Sequence, residues 1–115
     1  MGAPQGLPRE SRLLRRAEFE AVYRGGKRRS SAHFAVHYRA NGGSRSRFGS
    51  SVKKQLGNAV VRNRIRRRIR EILRRNSSEI PSGWDLVIHP RASVAQANFA
   101  QLQAELLSLL RALAG

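Results

Sequence analysis

The sequence predicts a two-layer α+β sandwich, in which helices pack against a sheet and the elements follow the order α-β-β(β)-α-β-α. Apolar residues recur at helical spacing in three stretches, an alternating apolar and polar run follows the first stretch, and a continuous apolar run separates the other two. The 115 residues suffice for one modest core. We therefore predict a single α+β domain at residues 12–115 after a flexible lead-in at residues 1–11, which contains Pro4, Gly6 and Pro8.

The first helix is predicted from Leu14 to Arg24. Its apolar side chains stand at positions i, i+3 and i+4, as Phe19, Val22 and Tyr23. Gly25-Gly26 ends the helix because two successive glycines are poor helix formers.

Two strands are predicted next. Residues 33–38 place Phe34, Val36 and Tyr38 on one face of a strand and His33, Ala35 and His37 on the other. Asn41-Gly42-Gly43 indicates a turn, and Arg47 to Val52 forms the second strand. A split of this pair would supply an extra strand.

A strongly basic helix, residues 58–75, follows, and we call it the arginine helix. Asn58 is its predicted N-cap, and Asn76-Ser77-Ser78 marks its end. Its apolar residues form one narrow stripe, namely Val61, Ile65, Ile69, Ile72 and Leu73. Between residues 62 and 75 it carries eight arginines and one acid, Glu71. Since like charges one helical turn apart repel, this pattern is typical of a helix that lies along a polyanion.

A central strand and a last helix complete the order. Trp84 to Ile88 is the most β-like run in the chain, and Pro90 closes it. Asn98 followed three residues later by Gln101 resembles a capping box at the start of the last helix. The apolar face of that helix consists of Phe99, Leu102, Leu106, Leu109, Leu110 and Leu113.

The charge of the chain points to a phosphate-rich partner. The formal net charge is +16, and residues 1–75 hold 21 Lys/Arg against 4 Asp/Glu, whereas residues 76–115 hold 2 against 3. Twenty of the 23 cations are arginine, whose planar guanidinium binds phosphate through two hydrogen bonds and stacks on bases. We therefore expect nucleic-acid binding by the first two-thirds of the chain.

Composition and motifs exclude several other functions. There is no cysteine, and no run approaches the roughly 18 apolar residues of a membrane span. Residues 1–12 lack the apolar segment of a secretory signal, so we expect a cytoplasmic location and no membrane partner. The seven acids are scattered, so we expect neither a catalytic residue nor a metal site in the protein. His33 and His37 would share a strand face, but they lack a third ligand and are interpreted as surface or base-stacking residues.

Two alternatives remain open on composition alone. The composition fits a ribosomal or other structural RNA-binding protein as well as any other RNA-binding protein. A DNA-binding helix-turn-helix fits less well, because a strand and Gly57 precede the arginine helix where a partner helix is required, so no DNA is expected. Core packing is the favoured role for Phe19. Tyr23 and the strand aromatics could instead lie on a sheet face that stacks unpaired bases.

Three short segments carry a resemblance to a known family. They are Arg47-Phe48-Gly49, Val52-Lys53-Lys54, and the string Gly57-Asn58-Ala59-Val60-Val61-Arg62-Asn63-Arg64-Ile65-Arg66-Arg67. Together they resemble the signature of the bacterial ribonuclease P protein family, whose core is called the RNR motif. Residues 14–26 are similar to the family's first helix and residues 85–88 to its last strand, while His89-Pro90-Arg91 stands where the family has an Ala-Arg-Pro-like ending.

The resemblance implies a fold and a function. The fold is an α+β sandwich with a left-handed β-α-β crossover around the RNR helix, where physics alone favours a right-handed one. The function is that of a small subunit in a ribonucleoprotein whose RNA, with Mg²⁺, removes the 5′ leader of precursor tRNA.

The resemblance also implies roles for individual residues. Catalytic-RNA binding is implied for Lys53, Lys54, Asn58, Arg62, Asn63, Arg64, Arg66, Arg67 and Arg70. The resemblance implies a cleft that holds the single-stranded leader, and the residues expected to form it are Phe19, Tyr23, Phe34, His37, Tyr38, Ser51, Asn63, Arg66 and Arg70.

Overall fold

The computed structural model describes residues 7–114. Over this range it contains three α-helices and four β-strands. The helices are α1 (Arg16–Gly25), α2 (Ala59–Arg75) and α3 (Phe99–Arg111), and the strands are β1 (Lys27–Ser30), β2 (Phe34–Ala40), β3 (Arg47–Ser50) and β4 (Trp84–Pro90). The α+β class and the predicted order are therefore confirmed, and α2 is the arginine helix. No helix in the described range is long and apolar enough to cross a membrane.

The four strands form one sheet in the spatial order β1-β2-β4-β3. β2 pairs antiparallel with β1 and with β4, where Val36 lies opposite Ile88. β3 and β4 run parallel, with Gly49 opposite Val87. Parallel neighbours require a crossover connection, and α2 supplies it. The left-handed sense of this crossover stays a prediction.

Each face of the sheet carries its own group of buried side chains, because successive residues of a strand point to opposite faces. Phe34, Val36 and Tyr38 of β2 pack in the larger cluster with residues of α2 and α3. On the other face, Val87 of β4 packs with Phe19 and other residues of the α1 region. α1 thus adds a helix on the second face of the sheet, beyond the two predicted layers.

The extra strand β1 comes from the basic run after α1 and not from a split of the predicted pair. Lys27 lies opposite Tyr38, and all four residues of β1 are exposed. β1 is an edge strand, and charged side chains such as lysine are a common protection of such edges against unwanted pairing. β3 ends at Ser50, two residues before the predicted Val52.

The predicted lead-in is part of the fold from Leu7 onward. Leu7 is 9% exposed and belongs to the larger core cluster. Arg9–Ser11 forms a 3₁₀ turn. Residues 1–6 of the lead-in lie outside the described residues.

Both predicted N-caps are confirmed. The side-chain oxygen of Asn58 accepts a hydrogen bond from the backbone N–H of Val61 at 3.0 Å, and that of Asn98 accepts from Gln101 at 3.1 Å. Gly57 has a φ of 150°, and a Cβ there would lie 2.8 Å from Cγ1 of Val61. The tight entry into the arginine helix therefore requires glycine.

An ion-pair network holds α1 in place over the sheet. Nε and Nη2 of Arg47 donate to the two carboxylate oxygens of Asp85 at 2.9 and 2.6 Å, and Nη1 pairs with Glu18 of α1. Burial alone would raise the pKa of Glu18, but two backbone hydrogen bonds and the Arg47 charge hold it below its ordinary value. Asp85, at 7% exposure, is the buried end of the network, while the Arg47 and Glu18 side chains stay partly exposed.

Candidate RNA interface

The arginine helix separates a buried stripe from a cationic surface. Ile65, Ile69, Ile72 and Leu73 are buried against the sheet and α3, as their spacing predicts. Val61 of the predicted stripe is only partly buried. Asn63, Arg64, Arg66 and Arg67 are exposed, while Arg62 and Arg70 are half-buried. The side chains for which the resemblance implies RNA binding therefore lie off the buried stripe.

Five arginines of this helix lack an acidic partner in the part of the chain that the structure describes. Among residues 7–114, none of the following forms an ion pair: Arg62, Arg64, Arg66, Arg67 and Arg70. Arg66 donates one hydrogen bond to Asn63 at 3.0 Å, which leaves its charge uncompensated. We call these five residues the arginine surface. Such a surface favours a polyanionic ligand, because a ligand's phosphates would relieve the repulsion between neighbouring guanidinium groups.

The other three arginines of α2 are bound within the protein. Arg74 and Arg75 both pair with Glu71, at 2.9 and 3.3 Å. Arg68 donates to the backbone carbonyls of Val94 and Ala97 at 3.0 and 2.5 Å. Burial and the neighbouring cation lower the pKa of Arg68. Arg68 thus secures the loop between β4 and α3, and it is not part of the arginine surface.

Three further residues with an implied RNA-binding role lie at the start of the arginine helix. Lys53 and Lys54 are exposed on the segment that leads into it. Asn58 is exposed, but its side-chain oxygen already caps the helix. Its capping role is therefore established, and its RNA contact stays a prediction.

A cluster of three rings lies on the α1 face of the sheet. Tyr23 of α1, His37 of β2 and His89 of β4 have ring centroids 4.9–5.6 Å apart, and all three side chains are half-buried. The Tyr23 hydroxyl and Nε2 of His89 are joined by a hydrogen bond of 3.0 Å. We call these residues the ring cluster. It brings together Tyr23 and His37, two of the residues predicted for the leader cleft.

The surroundings of the ring cluster keep both imidazoles neutral at neutral pH. Burial, helped by His37, Lys53 and Arg28, lowers the pKa of His89 to about 4. Burial and the Arg28 charge also lower the pKa of His37. The cluster is therefore a set of uncharged rings beside cations, which is the combination that stacks bases next to phosphates.

An open pocket of about 290 Å³ adjoins the ring cluster. Ser51, as predicted for the cleft, lines it together with His89 and the cations Lys53 and Arg91. Burial raises the pKa of Tyr23, and a hydrogen bond between Ser51 and the Tyr23 hydroxyl opposes this rise. The rings, the serine and the cations thus form one continuous site.

Two residues predicted for the cleft are excluded from it. Phe34 is fully buried and Tyr38 is 9% exposed, and both pack on the α2 and α3 face of the sheet. The cause is the alternation of β2, which sends Phe34 and Tyr38 to the face opposite His37. The prediction that they line the leader cleft is wrong.

The remaining predicted cleft residues have mixed outcomes. Phe19 is 3% exposed and packs in the core beneath α1, so its contribution is structural support. Asn63 and Arg66 are exposed on α2 and Arg70 is half-buried there, and their place in the cleft stays a prediction.

The histidines were only partly predictable. His33 does not share a face with His37, because β2 begins at Phe34 and the His33 ring bonds Glu105 of α3 at 2.8 Å. His89 was missed as a site residue. The sequence feature that could have indicated it is its position two residues after Val87, because residues two apart in a strand point to the same face. Within the described range, no group of three His, Cys, Asp or Glu side chains could hold a metal ion.

Comparison with known proteins gives one consistent result. The chain matches the family model described as Ribonuclease P over residues 7–114. It is 42% identical over 112 residues to the Ribonuclease P protein component of Desulfovibrio desulfuricans, covering 94% of this chain and 86% of that protein. It is 36% identical over 115 residues to that of Thermotoga maritima, covering 96% and 98%.

Solved structures agree with the sequence comparison. The RNase P protein from Thermotoga maritima aligns with a TM-score of 0.81 at 38% identity, covering 87% of this chain and 94% of that one. The RNase P protein of Staphylococcus aureus aligns with a TM-score of 0.77 at 31% identity, covering 90% and 94%.

Proposed function

This chain belongs to the ribonuclease P protein family, and we propose that it serves the tRNA-processing ribonucleoprotein through two surfaces. The arginine surface of α2 binds the catalytic RNA. The ring cluster and the adjoining pocket bind the single-stranded 5′ leader of precursor tRNA. The RNA, with Mg²⁺, carries out the cleavage, and the protein contributes binding and no catalytic side chain. We place this work in the cytoplasm, where precursor tRNA is made.

The observation that carries the first half of the proposal is that five arginines on one helix have no acidic partner between residues 7 and 114. Each arginine that contacts an RNA phosphate releases condensed counterions and so contributes to affinity without reading sequence. Arg74 and Arg75 of the same helix already have Glu71 as their partner. The difference between paired and unpaired arginines supports a binding surface confined to the unpaired set.

The ring cluster supports the second half of the proposal. Stacking a base on an aromatic ring contributes about 1–3 kcal/mol and tolerates any base. Lys53 and Arg91 line the pocket beside the rings, where they can contact leader phosphates. A site of this kind suits a subunit that must accept leaders of many sequences.

Catalytic assistance then follows from differential binding. Only precursor tRNA carries a leader, so contacts at the ring cluster stabilise the bound precursor and are absent from the mature product. Product release is thereby favoured over product retention. The arginine surface adds fixed positive charge to the folded catalytic RNA, which lowers the Mg²⁺ concentration that the RNA needs.

The test compares precursor tRNA with leaderless tRNA on the assembled holoenzyme. Tyr23→Ala should weaken binding of the leader-bearing substrate by about 5- to 150-fold, the loss of one stacking contact, and leave leaderless tRNA unchanged. Equal weakening for both substrates would show that Tyr23 does not contact the leader. Independently, Arg62→Ala combined with Arg66→Ala should weaken binding of the catalytic RNA. Unchanged affinity there would show that the arginine surface is not where the catalytic RNA binds.

A further inference from the structure

We infer that His89 is a positioning residue of the leader site, which holds the Tyr23 ring in the orientation that receives a leader base. The inference rests on the proposed function of the ring cluster and assigns a specific residue to it. His89 acts through Tyr23 and is not required to touch RNA itself.

The geometry joins two elements that are far apart in the chain. Tyr23 lies near the end of α1, and His89 lies near the end of β4, on the sheet beneath that helix. The hydrogen bond of 3.0 Å between the Tyr23 hydroxyl and Nε2 of His89 links them directly. Because the Tyr23 ring is only half-buried, packing leaves it some freedom to swing about its Cα–Cβ bond, and the hydrogen bond at its far end opposes that swing.

The hydrogen-bonding capacity of the cluster fits this role. The Ser51 hydroxyl also bonds the Tyr23 oxygen. If Ser51 donates to that oxygen, the Tyr23 O–H donates to Nε2 of His89, which a neutral imidazole with its proton on Nδ1 accepts. Burial, His37, Lys53 and Arg28 all oppose a charge on His89, so its neutral form prevails at neutral pH.

Both histidine rings contact the Tyr23 ring edge-on or tilted, as aromatic pairs prefer. Tyr23 meets His37 at 77° and His89 at 57°, so each histidine approaches the tyrosine with its ring turned out of the tyrosine plane. All three rings are half-buried and His89 lines the open pocket, whereas Phe19 of the packed core is only 3% exposed. The cluster is therefore positioned at the surface where a ligand arrives.

The expected effect is the cost of ordering one side chain on binding. If the Tyr23 ring is released, precursor binding must fix it again, which corresponds to about a three- to tenfold loss of affinity. Leaderless tRNA does not engage the ring and should be unaffected.

The experiment is a double-mutant cycle on the holoenzyme. The measured quantity is the ratio of affinities for precursor tRNA with a long leader and for leaderless tRNA. The variants are His89→Leu, His89→Gln, Tyr23→Phe and the combination of His89→Leu with Tyr23→Phe. Tyr23→Phe keeps the ring and removes only the hydroxyl, so it tests the same bond from the other side if His89→Leu fails to fold.

We expect His89→Leu and Tyr23→Phe each to lower the ratio three- to tenfold, and the double variant to lower it no further. His89→Gln, which retains a hydrogen-bonding group near the position of Nε2, should keep most of the ratio, a rescue that loss of packing would not give. The inference would be overturned if the affinity ratio stayed at the parental value in both Tyr23→Phe and His89→Leu, or if the losses of the two single variants added fully in the double variant.

The outcome for Tyr23→Ala separates this inference from the proposal beneath it. If Tyr23→Ala leaves the ratio unchanged, the ring cluster is not the leader site and both fail. If Tyr23→Ala lowers the ratio while His89→Leu does not, the leader site stands and only the role of His89 is refuted.

Discussion

Removing two arginines from the arginine surface should reduce the salt dependence of RNA binding by a calculable amount. The double variant is Arg64→Ala with Arg67→Ala, since both side chains are exposed and neither has an acidic partner in the described range. Alanine has the highest helix propensity, and the substitution relieves repulsion between like charges. The variant should therefore fold at least as stably as the parent protein.

The magnitude follows from counterion release. Each phosphate contact contributes about 0.7–0.9 to the slope of log K against log salt concentration. Two lost contacts should lower the slope by about 1.4–1.8. Between 50 and 200 mM salt, a fourfold change, the affinity advantage of the parent protein over the variant should therefore shrink by about seven- to twelvefold.

The assay is equilibrium binding to the catalytic RNA over that salt range. The matched control is Arg74→Ala with Arg111→Ala, which removes the same charge from arginines already paired with Glu71 and Glu79. The control should retain a slope close to that of the parent. If both double variants lower the slope equally, only net charge matters and the assignment of a defined arginine surface is refuted.

Three further predictions concern stability. The pKa of His89 falls from its ordinary 6.5 to about 4 on folding. As the pH is lowered, this histidine is therefore protonated in the unfolded chain before it is protonated in the folded protein. The free energy of unfolding should be highest above pH 6.5 and decrease as the pH falls toward 4, by on the order of 1 kcal/mol at pH 5 after discounting for partial exposure. Urea unfolding at pH 7 and at pH 5 measures this loss, and His89→Leu should make the loss smaller. Gly49→Ala should destabilise by about 1–3 kcal/mol, because a Cβ there overlaps the Phe19 ring; an unchanged melting temperature would contradict this. Asp85→Asn should cost about 2–3 kcal/mol by leaving Arg47 without its main charge partner, and a loss below 0.5 kcal/mol in chemical unfolding would show that the network is dispensable.

Elements with strong periodicity and a local end signal could be predicted from the sequence. The arginine helix has a clean apolar stripe and an asparagine that caps it, and both features appear as expected. The last helix has the same two features, with Asn98 as its cap. In both cases the determining interactions lie within a few residues of one another in the chain.

The failures arise where contacts between distant residues decide. Alternation along β2 correctly separates two faces, but the sequence does not say which face meets α1. Phe34 and Tyr38 were therefore assigned to the cleft although they pack on the opposite side. For the same reason the bond between Tyr23 and His89, which are 66 residues apart, could not be anticipated.

The basic residues show the same limit. Arg68 has the same local sequence character as its neighbours, yet it bonds carbonyls 26 and 29 residues further along the chain. The run that became β1 contains two arginines and a lysine with no apolar alternation, and β2 recruits it as an edge strand. Pairing with a neighbour overrides weak local preference in such strands.

The most direct test of the account is cleavage of a precursor tRNA by bacterial ribonuclease P RNA at low Mg²⁺, with and without this protein. We expect the RNA alone to be nearly inactive, the protein to restore formation of the mature 5′ end, and the gain to diminish when the leader is shortened to one nucleotide. Tight binding of the RNA without any gain in cleavage, or a gain that does not depend on the leader, would contradict it.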